Sequence, residues 1–312
     1  MVQTWLITGC SSGFGEEFVR QLRAAGDNVI ATGRNVEERL THLKETGCAI
    51  LELDVTSPED VITAKINEAW EIYGSIDVIV NNAGFLAIGA FEDTRCVHLR
   101  PSDKNFVNLK TMARQADIEA AMKTMFYGPL NITRAALGKM RPLNKGTILY
   151  VSSYYSRHGA AAATPYCSAK FALAGAVESI AQEVSFFAPN VKLVSVEPGF
   201  FHTEVYNKAV CAKNRVPAYT EFMDITMSTL DEKFTNGPGD AKKGVARMID
   251  IAKGTGCAEG KTVPVRLVLG SEAQETCRKV SQDALKIMDE WEEVANSTDR
   301  DNYVKPAAGK TQ

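Results

Sequence analysis

Thr4-Trp5-Leu6-Ile7-Thr8-Gly9-Cys10-Ser11-Ser12-Gly13-Phe14-Gly15 decides the fold of this chain. Residues 4–8 form a short apolar, β-branched run suited to a buried strand. A glycine-rich turn follows at once, and Phe18, Val19 and Leu22 then fall on one side of an amphipathic helix. A strand, a glycine-rich turn and a helix N-terminus together make a phosphate cradle. Glycines let the backbone approach a pyrophosphate, and unpaired helix N–H groups with the helix dipole favour its charge. Gly26 ends the helix, and Asn28-Val29-Ile30-Ala31-Thr32 reads as a second strand. Tight βα turns without ligands also use glycine; the βαβ context favours the nucleotide.

Downstream, strand-like and helix-like segments alternate, the pattern of a parallel sheet covered on both faces. Residues 49–53, 77–81, 147–151, 192–196 and 265–269 read as five further strands, and Ala169 to Phe187 is the clearest helix. The expected architecture is α/β: a Rossmann-type, doubly wound, mainly parallel seven-stranded sheet in one domain spanning residues 1–295. A tail from Asn296 to Gln312, poor in apolar residues, is expected to be disordered.

Tyr166-Cys167-Ser168-Ala169-Lys170 lies thirteen residues after Ser153. On a helix, positions i and i+4 share a face, which sets the Lys170 ammonium beside the Tyr166 phenol. That charge is expected to lower a phenol pKa that starts near ~10, while the Ser153 hydroxyl holds a substrate oxygen against it. Ser152, its neighbour in a strand, should face the other way. Taken alone, Tyr-x-x-x-Lys is more often a packing pair.

Together, Thr8-Gly9-x-x-x-Gly13-x-Gly15, Asn81-Asn82-Ala83-Gly84, Ser153 with Tyr166-x-x-x-Lys170, and Pro198-Gly199 resemble the short-chain dehydrogenase/reductase family in its one-domain branch. The resemblance covers roughly residues 1–295. It implies an enzyme that moves hydride between nicotinamide C4 and a carbonyl or secondary alcohol. Tyr166 would be general acid or base, Ser153 would orient the carbonyl, and Lys170 would hold the ribose and tune Tyr166. It further implies cofactor contacts from Gly9, Ser11, Ser12, Gly13, Phe14, Gly15, Asp54, Val55, Asn82, Ala83, Gly84, Tyr166, Lys170, Pro198, Gly199 and Thr203. Asn81 would brace the sheet. A homodimer or homotetramer through the helices around Met125 and Ala172 is also implied.

Gly33-Arg34 ends the second strand, where dinucleotide folds meet the adenosine ribose. A carboxylate there would select NAD; Arg34 instead offers a planar fork that matches phosphate, so NADP (NADPH) is the expected cofactor.

Two departures stand out. The family places an asparagine, which anchors a water near the lysine, where Met125 stands. A thioether cannot donate a hydrogen bond. That substitution opens two alternatives, a non-redox isomerase or cyclase on the same scaffold and a nucleotide-binding protein without turnover. Residues 95–115 are the other departure, an insertion carrying six Arg, Lys or His side chains and one acid, Asp103. It reads as a basic flap, an oligomer contact, a tolerated surface loop or a retained intron.

Residues 204–240 resemble the family's substrate lid. Tyr206, Val210, Val216, Tyr219, Phe222, Met223, Ile225, Met227, Leu230 and Phe234 suggest an apolar or aromatic substrate. Tyr154, Tyr155, His158 and His202 are further candidates for the pocket wall. A net charge of −3 gives no basic footprint for nucleic acid. No run approaches a membrane span, and the first strand leaves no room for a signal peptide. Seven cysteines without a C-x-x-C pair suit a reducing, cytoplasmic setting. Cys167 reads as a packing residue, and no cluster has metal-ligand spacing, so no metal is expected.

Overall fold

The structure, a computed structural model, describes residues 2–94, 115–212, 216–300 and 302–303. Strands are numbered in chain order. Seven of them are parallel in one sheet: β1 (Thr4–Ile7), β2 (Asn28–Gly33), β3 (Ala49–Glu52), β4 (Val78–Asn81), β6 (Gly146–Val151), β7 (Val191–Pro198) and β9 (Arg266–Leu269). Their spatial order is β3-β2-β1-β4-β6-β7-β9. Each of the seven expected strands is present. Two short strands, β5 (Ala87–Ile88) and β8 (Val210–Cys211), pair with each other beside the sheet and were not legible in the sequence.

Strand side chains alternate between the two faces, and both faces are buried. Trp5 and Ile7 of β1 and Val78 and Val80 of β4 join one cluster with Phe18, Val19 and Leu22 of α1 (Gly13–Ala24) and Met248 of α8 (Ala241–Lys253). Leu6, Ile79, Ile148 and Tyr150 join the other. That cluster is closed by Ile62 of α3 (Glu59–Tyr73), Ile132 of α5 (Gly128–Leu143) and Leu173 of α6 (Thr164–Phe187). Trp5, Leu6 and Ile7 are fully buried; an aliphatic side chain in such a place contributes roughly 1.5–3 kcal/mol. Further helices are α2 (Val36–Arg39), α4 (Gln115–Met122), α7 (Thr220–Asn236), α9 (Ser271–Glu290) and α10 (Glu292–Asn296).

Strand order reverses at β1. From there the chain builds outward through β2 and β3 on one side and through β4, β6, β7 and β9 on the other. Loops leaving β1 and β4 therefore part, and a crevice opens at the carboxyl ends of the strands. Ligands of open α/β sheets bind at this switch point. Between α4 and α5, residues Lys123–Tyr127 form a π-helical turn that carries Met125. The expected insertion, residues 95–114 of it, lies outside the described residues, as does most of the expected tail.

Candidate active site

Thr8 ties the ends of β1 and β4 together. Its hydroxyl oxygen accepts from the backbone N–H of Asn82 (2.9 Å) and of Ala83 (3.0 Å). Asn82 returns the tie, its side-chain amide donating to the carbonyls of Thr8 (2.9 Å) and Gly9 (3.2 Å). So Asn82 braces this corner. Asn81, expected to brace, has an amide with no partner among the described residues.

The turn can form only around glycine. Gly9 has φ +71°, and a Cβ there would stand 2.8 Å from Ala83 Cα. Gly13 has φ +60°, again the left-handed region that other residues avoid. Gly15 lies off the crevice; a Cβ on it would run into the Gly9 carbonyl and the Asn82 amide. Ser12 precedes α1 without capping it, so first-turn N–H groups stay available beside Ser11 and Gly13.

One cavity of about 640 Å³ fills the crevice, within the roughly 300–1,000 Å³ of small-molecule sites. Gly9, Ser11, Ser12, Gly13, Phe14, Arg34, Asp54, Val55, Asn82, Ala83, Gly84, Ser153, Tyr166, Lys170, Pro198, Gly199 and Thr203 all line it. Of the expected site residues only Gly15 does not. A nicotinamide dinucleotide fits these residues: a backbone cradle at one end, open N–H groups beside it, and a basic rim. Arg34 is joined there by Arg39, whose guanidinium donates to the Ser11 hydroxyl (3.4 Å). Arg39 was not found from the sequence; its five-residue spacing from Arg34 was the available signal.

Ser153 continues β6 in extended conformation (φ −164°, ψ 153°) and is buried. Its oxygen accepts from Tyr155 N–H (3.2 Å), which leaves its own hydrogen free to donate into the cavity. Tyr166 sits in the first turn of α6, with Lys170 one turn on. Lys170 Nζ lies 5.6 Å from the Tyr166 ring centre and donates to the Val151 carbonyl (2.9 Å). The expected lowering of the phenol is not observed. Burial pushes Tyr166 up to about 12, against the pull of the Ser153 hydroxyl, and burial takes Lys170 down to about 8. Desolvation leads in both cases because both groups are buried beside one another. Burial also raises the Cys167 thiol, in keeping with a packing role.

The turn after Ser153 is pinned from below. Glu197 of β7, fully buried, pairs with Arg157 and with Arg266 (2.5 Å), and accepts from the Ser156 hydroxyl (3.0 Å). Arg266 also reaches Glu178 (3.0 Å) and the Ser156 carbonyl (3.2 Å). Its guanidinium is held above the usual range: burial opposes the charge, and Glu197 and Glu178 outweigh burial.

Met125 is buried in the π-turn against Ala121, Ala169, Phe85 and Tyr166. A Cβ on Gly84 would meet its sulfur at 3.4 Å. Leu86, Tyr154, Tyr155, Phe200, Val205, Val210 and Phe234 complete the cavity wall away from the cradle. Phe234 stacks on Tyr206 (4.8 Å) and meets Phe200 edge-on (4.9 Å). Met223, Met227 and Leu230 of α7 pack down on Leu86, Ile88 and Ala162. Phe222 and Ile225 face out, so part of the apolar content of residues 204–240, expected as a lid, serves no pocket. The histidine expectations fail: His158 packs edge-on against Tyr154 (5.0 Å), exposed His202 bonds Gly237 O (3.1 Å), and neither lines the cavity.

A family model for short chain dehydrogenases matches residues 3–213. The chain belongs to the short-chain dehydrogenase/reductase family. Among similar family members is an uncharacterized oxidoreductase of Schizosaccharomyces pombe, C162.03, 30% identical over 312 residues, covering 99% of this chain and 95% of that one. An NADPH-dependent pterin aldehyde reductase of Arabidopsis thaliana is 31% identical over 222 residues, 70% of this chain and 81% of that one. The crystal structure of a short-chain dehydrogenase from Streptomyces avermitilis superposes with a TM-score of 0.78 at 30% identity, covering 96% of this chain and 100% of that one. Among the described residues no helix is long and apolar enough to cross a membrane.

Proposed function

We propose that this short-chain dehydrogenase/reductase is an NADP-dependent oxidoreductase acting on a carbonyl or secondary alcohol of an apolar or aromatic small molecule. One observation carries the reading: Ser153, Tyr166 and Lys170 share a single cavity with the glycine cradle and the Arg34–Arg39 rim. The Arabidopsis relative, named for NADPH, supports the cofactor half of it.

Gly9, Ser11 to Phe14 and Asn82 to Gly84 would hold the dinucleotide, Asp54 and Val55 its adenine side, and Thr203 beside Pro198-Gly199 its carboxamide. Arg34 and Arg39 match the extra phosphate of NADP. The nicotinamide, when bound, supplies or accepts the hydride. The chain supplies the proton. With its pKa raised to about 12, Tyr166 is a neutral phenol at neutral pH, the form that protonates a carbonyl oxygen. Ser153 donates to the same oxygen and fixes its direction. Lys170 carries positive charge below about pH 8, holds the ribose and steadies the phenolate that Tyr166 leaves behind. Oxidation runs the same path backward.

The aromatic wall built by Tyr154, Tyr155, Phe200 and Phe234 favours a flat apolar substrate. Met125 is the feature that would favour a non-redox catalyst or a binding protein, and its buried packing against Ala121 and Ala169 supports a filling role instead. The six described cysteines are all free, which suits a cytoplasmic location. Exposed Tyr127, Phe171, Phe186 and Phe187 support a homo-oligomer through α5 and α6.

The test is NADPH with a panel of aromatic ketones and quinones, following loss of the reduced cofactor. Turnover that Tyr166→Phe abolishes is the expected result; tight NADPH binding without turnover across the panel counts against it.

A further inference from the structure

The turn that follows β7 lines the cavity with Pro198, Gly199, Phe200 and Phe201. Three of its N–H groups are tied down. Gly199 N–H donates to the Leu269 carbonyl at the end of β9 (2.9 Å), and His202 N–H donates to the Gly239 carbonyl (3.0 Å). Between them, Phe200 N–H donates to Glu272 Oε1 (2.7 Å). This middle tie is the shortest of the three, and it alone is made to a side chain.

Glu272 reaches the turn from the start of α9. Gly270 precedes that helix without a side chain to cap it, so the unpaired N–H groups there favour a carboxylate. An acid at such a position ordinarily serves its own helix and faces water. Here the carboxylate bridges to another segment: Oε1 takes the Phe200 N–H, and Oε2 is buried with no partner among the described residues.

Two glycines make room for it. A Cβ on Gly199 would stand 1.9 Å from Glu272 Oε1 and 2.8 Å from Ala273 Cβ, and one on Gly270 would stand 3.1 Å from Oε2. Gly199 lies outside the left-handed region, so what it supplies is space rather than an unusual backbone angle. The next residues of α9 continue the support. Ala273 and Cys277 join Tyr154 and Phe200 in one buried cluster, and Tyr154 and Phe200 both stand on the cavity wall. Burial, the neighbouring Tyr155 and the Glu272 charge together push the Tyr154 phenol up, which sets the carboxylate behind that wall.

We infer that Glu272 is a positioning residue for both ligands of the cavity. By holding Phe200 N–H it fixes the Pro198-Gly199 turn on the cofactor side and the Phe200 ring on the substrate side. The inference rests on the dinucleotide reading of the cavity.

Hydrogen exchange at the Phe200 amide and NADPH affinity, both on the full chain, decide it. Glu272→Ala is expected to speed Phe200 exchange about tenfold or more and to weaken NADPH about tenfold in a fluorescence titration, the size of one lost bond to a charged group. Glu272→Gln keeps a carbonyl acceptor at the same reach and is expected to hold both values within about threefold. With a substrate from the ketone panel, Glu272→Ala should raise KM while kcat holds within about threefold, because Ser153, Tyr166 and Lys170 are untouched. Unchanged Phe200 exchange in Glu272→Ala overturns the inference, as does a Glu272→Gln protein as impaired as Glu272→Ala. If Glu272→Ala does not fold, Glu272→Asp takes its place with the same expectation, since it keeps the charge and draws the acceptor back by one methylene. Exchange is read without cofactor, so the two readings fail separately. Wild type that does not bind NADPH counts against the NADP reading, whereas NADPH bound equally well by Glu272→Ala counts against this one.

Discussion

Replacing Glu197 with glutamine removes one charge and almost no volume, which makes it a clean probe of how the Ser153 turn is held. The carboxylate is fully buried between Arg157 and Arg266, and the Ser156 hydroxyl donates to it. Breaking a buried pair from one side costs about 3–5 kcal/mol because the partner charge is stranded. Two facts trim that figure. Arg157 is 30% exposed and can turn to water, and Arg266 keeps Glu178. A loss of about 2–4 kcal/mol remains. Unfolding entropy of ~2.1 cal/mol/K per residue gives roughly 0.65 kcal/mol/K for a chain this long, so Tm should fall by about 3–6 °C. Differential scanning calorimetry at neutral pH measures it. The same variant should slow turnover, since Tyr154 to Ser156 lose their anchor and Ser153 its direction. A Glu197→Gln protein melting within about 1 °C of wild type would refute the reasoning, because the network would then be screened rather than buried.

Other outcomes follow from the same geometry. Tyr166→Phe should lower kcat by about 10²–10⁴ and leave NADPH affinity, read by fluorescence titration, unchanged. Arg34→Glu and Arg39→Glu should each weaken NADP by about 10–100-fold, the size of a lost charge-assisted hydrogen bond, and leave NAD nearly untouched; equal losses for both cofactors would sink the rim assignment. Reductive turnover should fall as pH rises through about 8, where Lys170 loses its proton, while Tyr166 stays protonated up to about 12. Stability should move the other way. The unfolded lysine, with its model value of 10.5, binds more protons than the folded one between about 8 and 10.5, so Lys170 makes folding more favourable with rising pH there. Parallel pH series of kcat and of urea midpoint check both signs. Gly9→Val should abolish NADPH binding, since a Cβ would meet Ala83 backbone at 2.8 Å; a variant that binds normally would show that the cradle can widen.

The seven main strands were legible because parallel, doubly covered strands are short, almost wholly apolar runs bounded by turn residues. β5 and β8 were not, since each is two residues long and pairs a strand more than a hundred positions away. The cradle and the Ser153–Tyr166–Lys170 set carry spacing that survives in one dimension. Arg39 does not: it reaches the cavity only because Asn35 takes a left-handed conformation and α2 makes a single turn. The direction of the Tyr166 shift was misjudged because spacing reports that a charge is near, whereas desolvation depends on everything else packed around it. That Asn82 supplies the bracing expected of Asn81, while still lining the cavity, has the same origin. Adjacent residues on a strand point to opposite sides, and which of them meets Thr8 is set by the partner strand.

The pairing of β5 with β8 bears on the timing of the catalytic cycle. Two backbone bonds, Val210 N–H to Leu86 O (2.8 Å) and Ala212 N–H to Ile88 O (2.9 Å), fasten the start of the proposed lid to the body. Each contributes a net of about 0.5–1.5 kcal/mol. Unzipping both therefore costs about 1–3 kcal/mol and leaves this ribbon open for roughly 0.6–16% of the time, refreshed on a microsecond-to-millisecond scale. Val216 N–H to Asp93 Oδ1 (2.7 Å) and the packing of Met223, Met227 and Leu230 on Leu86 and Ile88 add to that cost, so this four-residue ribbon is the first of several fastenings between the pocket and solvent.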